Sequence, residues 1–274
     1  MRPRRSARLL ALVGAMALVT SGCLYLPAAQ EHQETMPDTR PWWCDSTGGG
    51  HDDGHGSDHY AGVTKGMLSW DDCLEVSGQL DSALRWAQQW PTVGDAEAAG
   101  FHMSVPYVGG MGTHHTEPGT FGPDDYMSPD YDPHNPTFPG TRIDDVFDPR
   151  RPEFLQYGGN GDSAELVGMS WYVRTDDGMP PEGFAGDNDW WHVHQSLCHL
   201  ESTFMVVGED MSDAQCESIG GINLYLDDYW MVHAWIVPGW EHEPDVFINH
   251  HPCLLSSGPA DESHSCWDMA HGGH

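Results

Sequence analysis

Histidine is the residue type with the clearest capacity for chemistry in this 274-residue chain, which holds 18 of them. Those in its central part fall in five short contexts: MGTHH at 111–115, WWHVHQSLCH at 190–199, MVHAW at 231–235, WEH at 240–242 and NHHP at 249–252. A neutral imidazole is a nitrogen ligand for zinc, copper or iron. His192 and His194 have the spacing that a strand turns to one face, so two rings can grip one cation. His233, flanked by Trp230 and Trp235, is placed to add a third nitrogen. Three imidazoles with an open position suit zinc or copper, whereas two with a carboxylate suit iron, and Glu153 is the carboxylate of choice with Glu201 behind it. A single histidine between aromatics is more often a hydrogen-bonded core residue, so His233 counts through its partners. In a strand each adjacent pair, His114-His115 and His250-His251, presents only one ring to a common site. Thioethers offer less: the methionines form no MxxM-type cluster, and most are expected in the core.

These side chains need elements to hold them. Leu80, Ala83, Leu84, Ala87 and Trp90 recur at helical spacing until Pro91 stops the pattern. Thr92 and Asp95 then open a second short helix, which Gly100 closes. From Glu117 to Pro152 the proline density excludes helix and interior strand and leaves a long ordered loop or an insertion. Glu153 to Tyr157 and Ala164 to Arg174 are strand-like runs joined by GGNGD turn chemistry, a hairpin signal. Trp190 to Ser196, Ser202 to Val207 and Asp228 to Val237 supply further strands. The expected fold is α+β, a predominantly antiparallel sheet, open or closed into a barrel, with one or two N-terminal helices. One domain over 61–255 is expected between a flexible Gly/His-rich tether at 23–60 and a flexible tail at 256–274. Histidines in those tails (His51, His55, His59, His264, His271, His274) are expected to bind metal weakly, because organising a flexible chain costs entropy.

The first 22 residues read as an export signal: four arginines among residues 2–8, an apolar run from Leu9 to Val19, and small residues before Cys23. The apolar run is too short to span a bilayer. The TSGC tetrad at 20–23 resembles the lipobox of bacterial lipoproteins, with Thr20 in place of the usual leucine. That resemblance implies lipidation at Cys23 and a place on the extracytoplasmic face of the cell membrane. Removing the leader takes four of the eleven basic residues and leaves seven against 42 acids, which excludes charge-driven binding to nucleic acid or anionic lipid. Beyond Cys23 stand Cys44, Cys73, Cys198, Cys216, Cys253 and Cys266, an even count that reads as disulfides in an oxidising compartment. Sequence proximity favours Cys44 with Cys73, Cys198 with Cys216 and Cys253 with Cys266.

The blocks DAEAAGF (95–101), MGTHH (111–115), RPEFLQY (151–157), ELVGMSWYV (165–173), YWMVHAWIVPG (229–239) and DVFINHHP (245–252) together resemble a family of uncharacterised secreted bacterial proteins. Similar blocks there read AGY, MGYHY, PEVLLY, LVGVEY, LHVW and GMFADWNP. The resemblance spans most of 80–255 and implies that His114, Glu153 and His233 are site residues; it implies no reaction. Ser170, His115 and His251 depart from the family's residues at their positions. Gly186, His192 and His194 are similar to the opening of the cupin metal motif, but Cys198 and His199 stand where its glutamate would follow. No nucleophile elbow, phosphate loop or HExxH motif occurs, so hydrolase and nucleotide-cofactor readings lack support. The sequence therefore points to a membrane-anchored lipoprotein that binds copper or zinc, with iron behind them. The alternatives are a cupin-like metalloenzyme and a non-metal interaction protein, whose protein partner the sequence does not name.

Overall fold

The helical stripe after Ser69 becomes helix α1 (Trp70–Ala87). Ser69 accepts a hydrogen bond from the Asp72 amide, which satisfies one of the helix's orphan N–H groups. Its buried positions, Cys73, Val76, Leu80, Ala83 and Ala87, repeat every three or four residues and face the main core. Helix α2 (Val93–Ala98) starts at Thr92, whose side chain accepts from the Asp95 amide, and Gly100 follows it at φ +99°. In this computed structural model, residues 41–44, 68–117, 119 and 123–271 are described. The chain divides into two units, Met1–Asp38 and Thr39–His274, and every described residue belongs to the second. The expected export signal, Cys23 and most of the expected tether lie outside the described residues.

Strands β1 (His102–Val108), β2 (Gly112–Thr116), β3 (Phe154–Tyr157) and β4 (Leu166–Arg174) follow, with the short helix α3 (Pro123–Tyr126) in the loop between β2 and β3. Next come β5 (His192–Val193), β6 (Ser196–Leu200), β7 (Val206–Glu209), helix α4 (Asp213–Ser218), β8 (Gly221–Tyr225) and β9 (Tyr229–Ala234). A small ribbon of β10 (Leu254–Leu255) and β11 (Gly258–Pro259) precedes helix α5 (Cys266–Ala270). The main sheet has the order β1-β2-β3-β4-β9-β5 with antiparallel neighbours, and β7-β6-β8 forms a second, three-stranded antiparallel sheet. The fold is thus α+β and mostly antiparallel, as the sequence predicts. Among the described residues no helix is long and apolar enough to cross a membrane.

The pleat divides the main sheet into two unlike faces. Leu155, Tyr157, Met169, Trp171, Val173, Val232 and Ala234 pack in one cluster with the buried side of α1. The alternating residues turn to the other face: His114 beside Gln156, Ser170 beside His233, and Met231 beside His192. One face is a conventional apolar core. The other is buried too, yet it is rich in imidazole, amide and hydroxyl groups.

Three disulfides pair Cys44 with Cys73, Cys198 with Cys216 and Cys253 with Cys266, as sequence proximity favours. Two of them fasten segments that the sequence reading places in the tether and the tail. Residues 41–44, assigned to the tether, form a short 3-10 turn that the Cys44–Cys73 bridge fastens to α1. Residues 256–271, expected as a flexible tail, carry β11 and α5, held by Cys253–Cys266 and by Trp267 packed against Trp240 at 5.1 Å. A composition too polar to form its own core is ordered here by a covalent staple and one aromatic anchor.

Candidate functional site

Antiparallel register assembles the site. His114 on β2 pairs with Gln156 on β3, His233 on β9 pairs with Ser170 on β4, and His192 on β5 pairs with Met231 on β9. The rings form a continuous chain: His114 to His233 at 5.7 Å between centroids, His233 to His192 at 5.3 Å, and His192 to His194 at 5.1 Å. Strand β5 covers only His192–Val193, so His194 reaches this chain from just beyond the strand. His114, His192 and His233 are buried and His194 is half-buried.

Several of these rings are oriented by a partner on one nitrogen. His233 Nδ1 lies 2.7 Å from the Asn249 carbonyl, which can only accept, so Nδ1 carries the proton and Nε2 keeps its lone pair. That lone pair faces Met231 Sδ at 3.2 Å. His194 Nδ1 lies 2.6 Å from Glu209 Oε1 on β7, which leaves Nε2 as its outward nitrogen. His114 Nε2 lies 3.3 Å from the Gln156 amide nitrogen, which also donates to the Met111 carbonyl. His114 Nδ1, Gln156 Oε1, Ser170 Oγ and the Tyr172 hydroxyl are buried on this face without a hydrogen-bond partner among the described residues. Such groups are rare in folded proteins and mark places where a water, an ion or a ligand belongs.

Burial sets the charge state. His233 is pushed down to about 3, first by desolvation and then by His250 and His194, against the pull of the Asn249 carbonyl. His114 and His192 are held well below the usual histidine range, first by desolvation and then by neighbouring imidazoles. At neutral pH these rings are uncharged, the form that binds metals. His250, which acts on both His192 and His233, stands near the same cluster.

Other expected members lie elsewhere. Glu153 is buried, but its Oε1 meets Arg142 at 3.2 Å and its Oε2 accepts from the Tyr172 amide at 3.1 Å. Burial pushes its carboxyl up to about 8, against the opposing pull of Arg142. Arg142 and Arg151 also meet Glu117, so Glu153 clasps the proline-rich loop to the sheet. Among the described residues the polar partners of Glu153 are Arg142 and the Tyr172 amide and include no histidine, and Glu201 is exposed. The paired histidines separate as alternation requires: His115 turns to the opposite face and packs on Tyr157 at 5.0 Å. His251 is enclosed by Trp235, Trp240 and Trp267 with His242 beside it. Met231, Gln156, Glu209 and the Asn249 carbonyl escaped sequence reasoning. Only Met231 carried a signal, the period-two spacing M-V-H that mirrors H-V-H at 192–194.

A cavity of about 340 Å³ adjoins the site. It lies against Phe138, Phe154, Tyr172, Phe204 and Leu226, and Met231 forms part of its wall. Phe154 packs on His114 at 5.7 Å, so the cavity and the imidazoles share boundary residues. Among the described residues, no group of three or more His, Cys, Asp and Glu side chains stands in metal-holding geometry. Compared with protein-family models, curated proteins and solved structures, the chain matches none, so the assignment of roles rests on its own geometry.

Proposed function

We propose that the chain is an extracytoplasmic lipoprotein, anchored to the cell membrane through Cys23, whose folded part binds a transition metal, copper or zinc, through His192, His194, His233 and His114. The observation that carries this reading is the ring-to-ring chain on a buried sheet face. A ring nitrogen about 2 Å from a metal puts the ring centre about 3.2 Å from it, so two tetrahedral ligands have centroids about 5.2 Å apart. Spacings of 5.1 and 5.3 Å are in that range. The hydrogen bonds of His233 to a carbonyl and of His194 to a carboxylate are the kind that fix the tautomer and aim of ligating histidines. Ligation then asks the rings to turn their bare nitrogens to a common point. The excess of acids over bases favours cation approach.

The test is equilibrium dialysis of the full chain, purified without a histidine tag, against copper and against zinc, beside His192→Ala/His233→Ala. The expected result is one tightly held ion in the parent and its loss in the double variant. Equal metal in both proteins would assign binding to the terminal histidines and refute the site.

A second reading, a metalloenzyme acting on a small substrate, is favoured by one observation: the aromatic-lined cavity that has Met231 in its wall. It predicts that a small apolar compound entering the cavity shifts the absorption spectrum of the copper-loaded protein. An unchanged spectrum with bound compound would leave binding alone.

A further inference from the structure

We infer that Met231 is a metal ligand, and that its thioether makes the proposed site selective for copper in the cuprous state; this rests on the metal-binding reading above. Met231 stands two residues before His233 on the same face of β9 and pairs directly with His192 on β5, so one strand register places it next to both histidine positions. Its Sδ is 3.2 Å from His233 Nε2. The Asn249 carbonyl accepts a hydrogen bond from Nδ1, which carries the single proton of the neutral His233 ring. Two electron-pair donors therefore face each other in a buried place with no proton between them. That contact is repulsive by itself and becomes favourable when a cation accepts both pairs. Two donors about 2.0 and 2.3 Å from one ion, at an angle near 100°, lie about 3.3 Å apart, close to the spacing found.

The chemistry of the donor set selects the ion. Thioether sulfur is soft and neutral and binds cuprous copper, whereas it adds little to zinc. No thiolate competes among the described residues: the six cysteines beyond Cys23 are joined in pairs. Neutral imidazoles and a neutral thioether also leave the low charge of a cuprous ion uncompensated only by one unit, a modest demand on a buried site. Leucine keeps the volume of Met231 and removes its electron pair.

The experiment is a competition titration of the full chain, without a histidine tag, against a chromophoric cuprous chelator and separately against a chromophoric zinc chelator, for the parent, Met231→Leu and His192→Ala/His233→Ala. Circular dichroism and thermal unfolding of the metal-free variants check the fold. The expected result is that Met231→Leu lowers cuprous affinity by about tenfold or more while zinc affinity moves by less than about threefold. X-ray absorption should show a sulfur scatterer in the copper-loaded parent and lose it in Met231→Leu. Equal cuprous affinity in the parent and Met231→Leu, or equal losses for copper and zinc, would overturn the role of Met231 while leaving the imidazole site. No saturable binding of either metal that the double histidine variant abolishes would overturn both.

Discussion

At the scale of single residues, the useful distinction is between histidines that only fill space and histidines whose second nitrogen is held. His233 and His194 are of the second kind, through the Asn249 carbonyl and Glu209. Glu209→Gln should lower metal affinity by about 10-fold or more, because loss of the carboxylate loosens the ring and weakens its basicity; competition titration against the parent checks this. Glu153 makes the opposite prediction. Its oxygens serve Arg142 and the Tyr172 amide, so Glu153→Gln should leave metal stoichiometry unchanged. Metal lost in that variant would return Glu153 to the ligand set. The sequence shows the imidazoles by their spacing but does not show the partners of Glu153, since a carboxylate before a strand can turn to a loop as readily as to a site. It hides the orienting partners because Asn249 and Glu209 come from other parts of the chain, which only the fold brings near.

At the scale of elements, periodicity is legible where a segment is buried on one side. The α1 stripe, the β3–β4 hairpin and β9 follow their apolar patterns. Strand β1 escapes because it is a half-exposed edge strand with Pro106 at a register break. The predicted strand at 190–196 shrinks to two residues, and His194 serves the site from outside it. Close packing on the histidine face gives a sharp prediction at Gly168 of β4. A Cβ there would meet the Trp235 ring at 2.6 Å, so Gly168→Ala should destabilise the fold by about 1–3 kcal/mol. An unshifted denaturation midpoint would mean that Trp235 moves freely. Removing the Cys253–Cys266 staple, which closes a 13-residue separation, should cost about 3 kcal/mol. The measurement is the denaturant midpoint of Cys253→Ala/Cys266→Ala.

At the scale of the whole molecule, burial of so many imidazoles makes stability depend on acid. His199 is pushed down to about 4 and His251 to about 3, both chiefly by desolvation. The unfolded chain takes up those protons near 6.5, so this stability is complete above that pH and is lost as pH falls toward the folded values. Between pH 6.5 and 5 each such ring should cost about 2 kcal/mol. Glu153, pushed up to about 8, acts in the opposite sense, since its burden on the fold grows as pH rises from 4.5 through 8. Glu153→Gln should therefore steepen the acid-side fall in thermal midpoint, and a flat profile between pH 7 and 5 would contradict the buried neutral rings. The lipoprotein reading predicts that Cys23→Ser moves the protein from the membrane fraction to the soluble fraction; unchanged partition would remove Cys23 as the anchor. The central claim, that one buried sheet face gathers imidazoles around a metal, is tested most directly by metal analysis of the untagged full chain after loading and exhaustive dialysis. The account predicts close to one copper or zinc per chain, retained by the parent and lost from His192→Ala/His233→Ala. Substoichiometric metal in the parent, or equal retention by the variant, would contradict it.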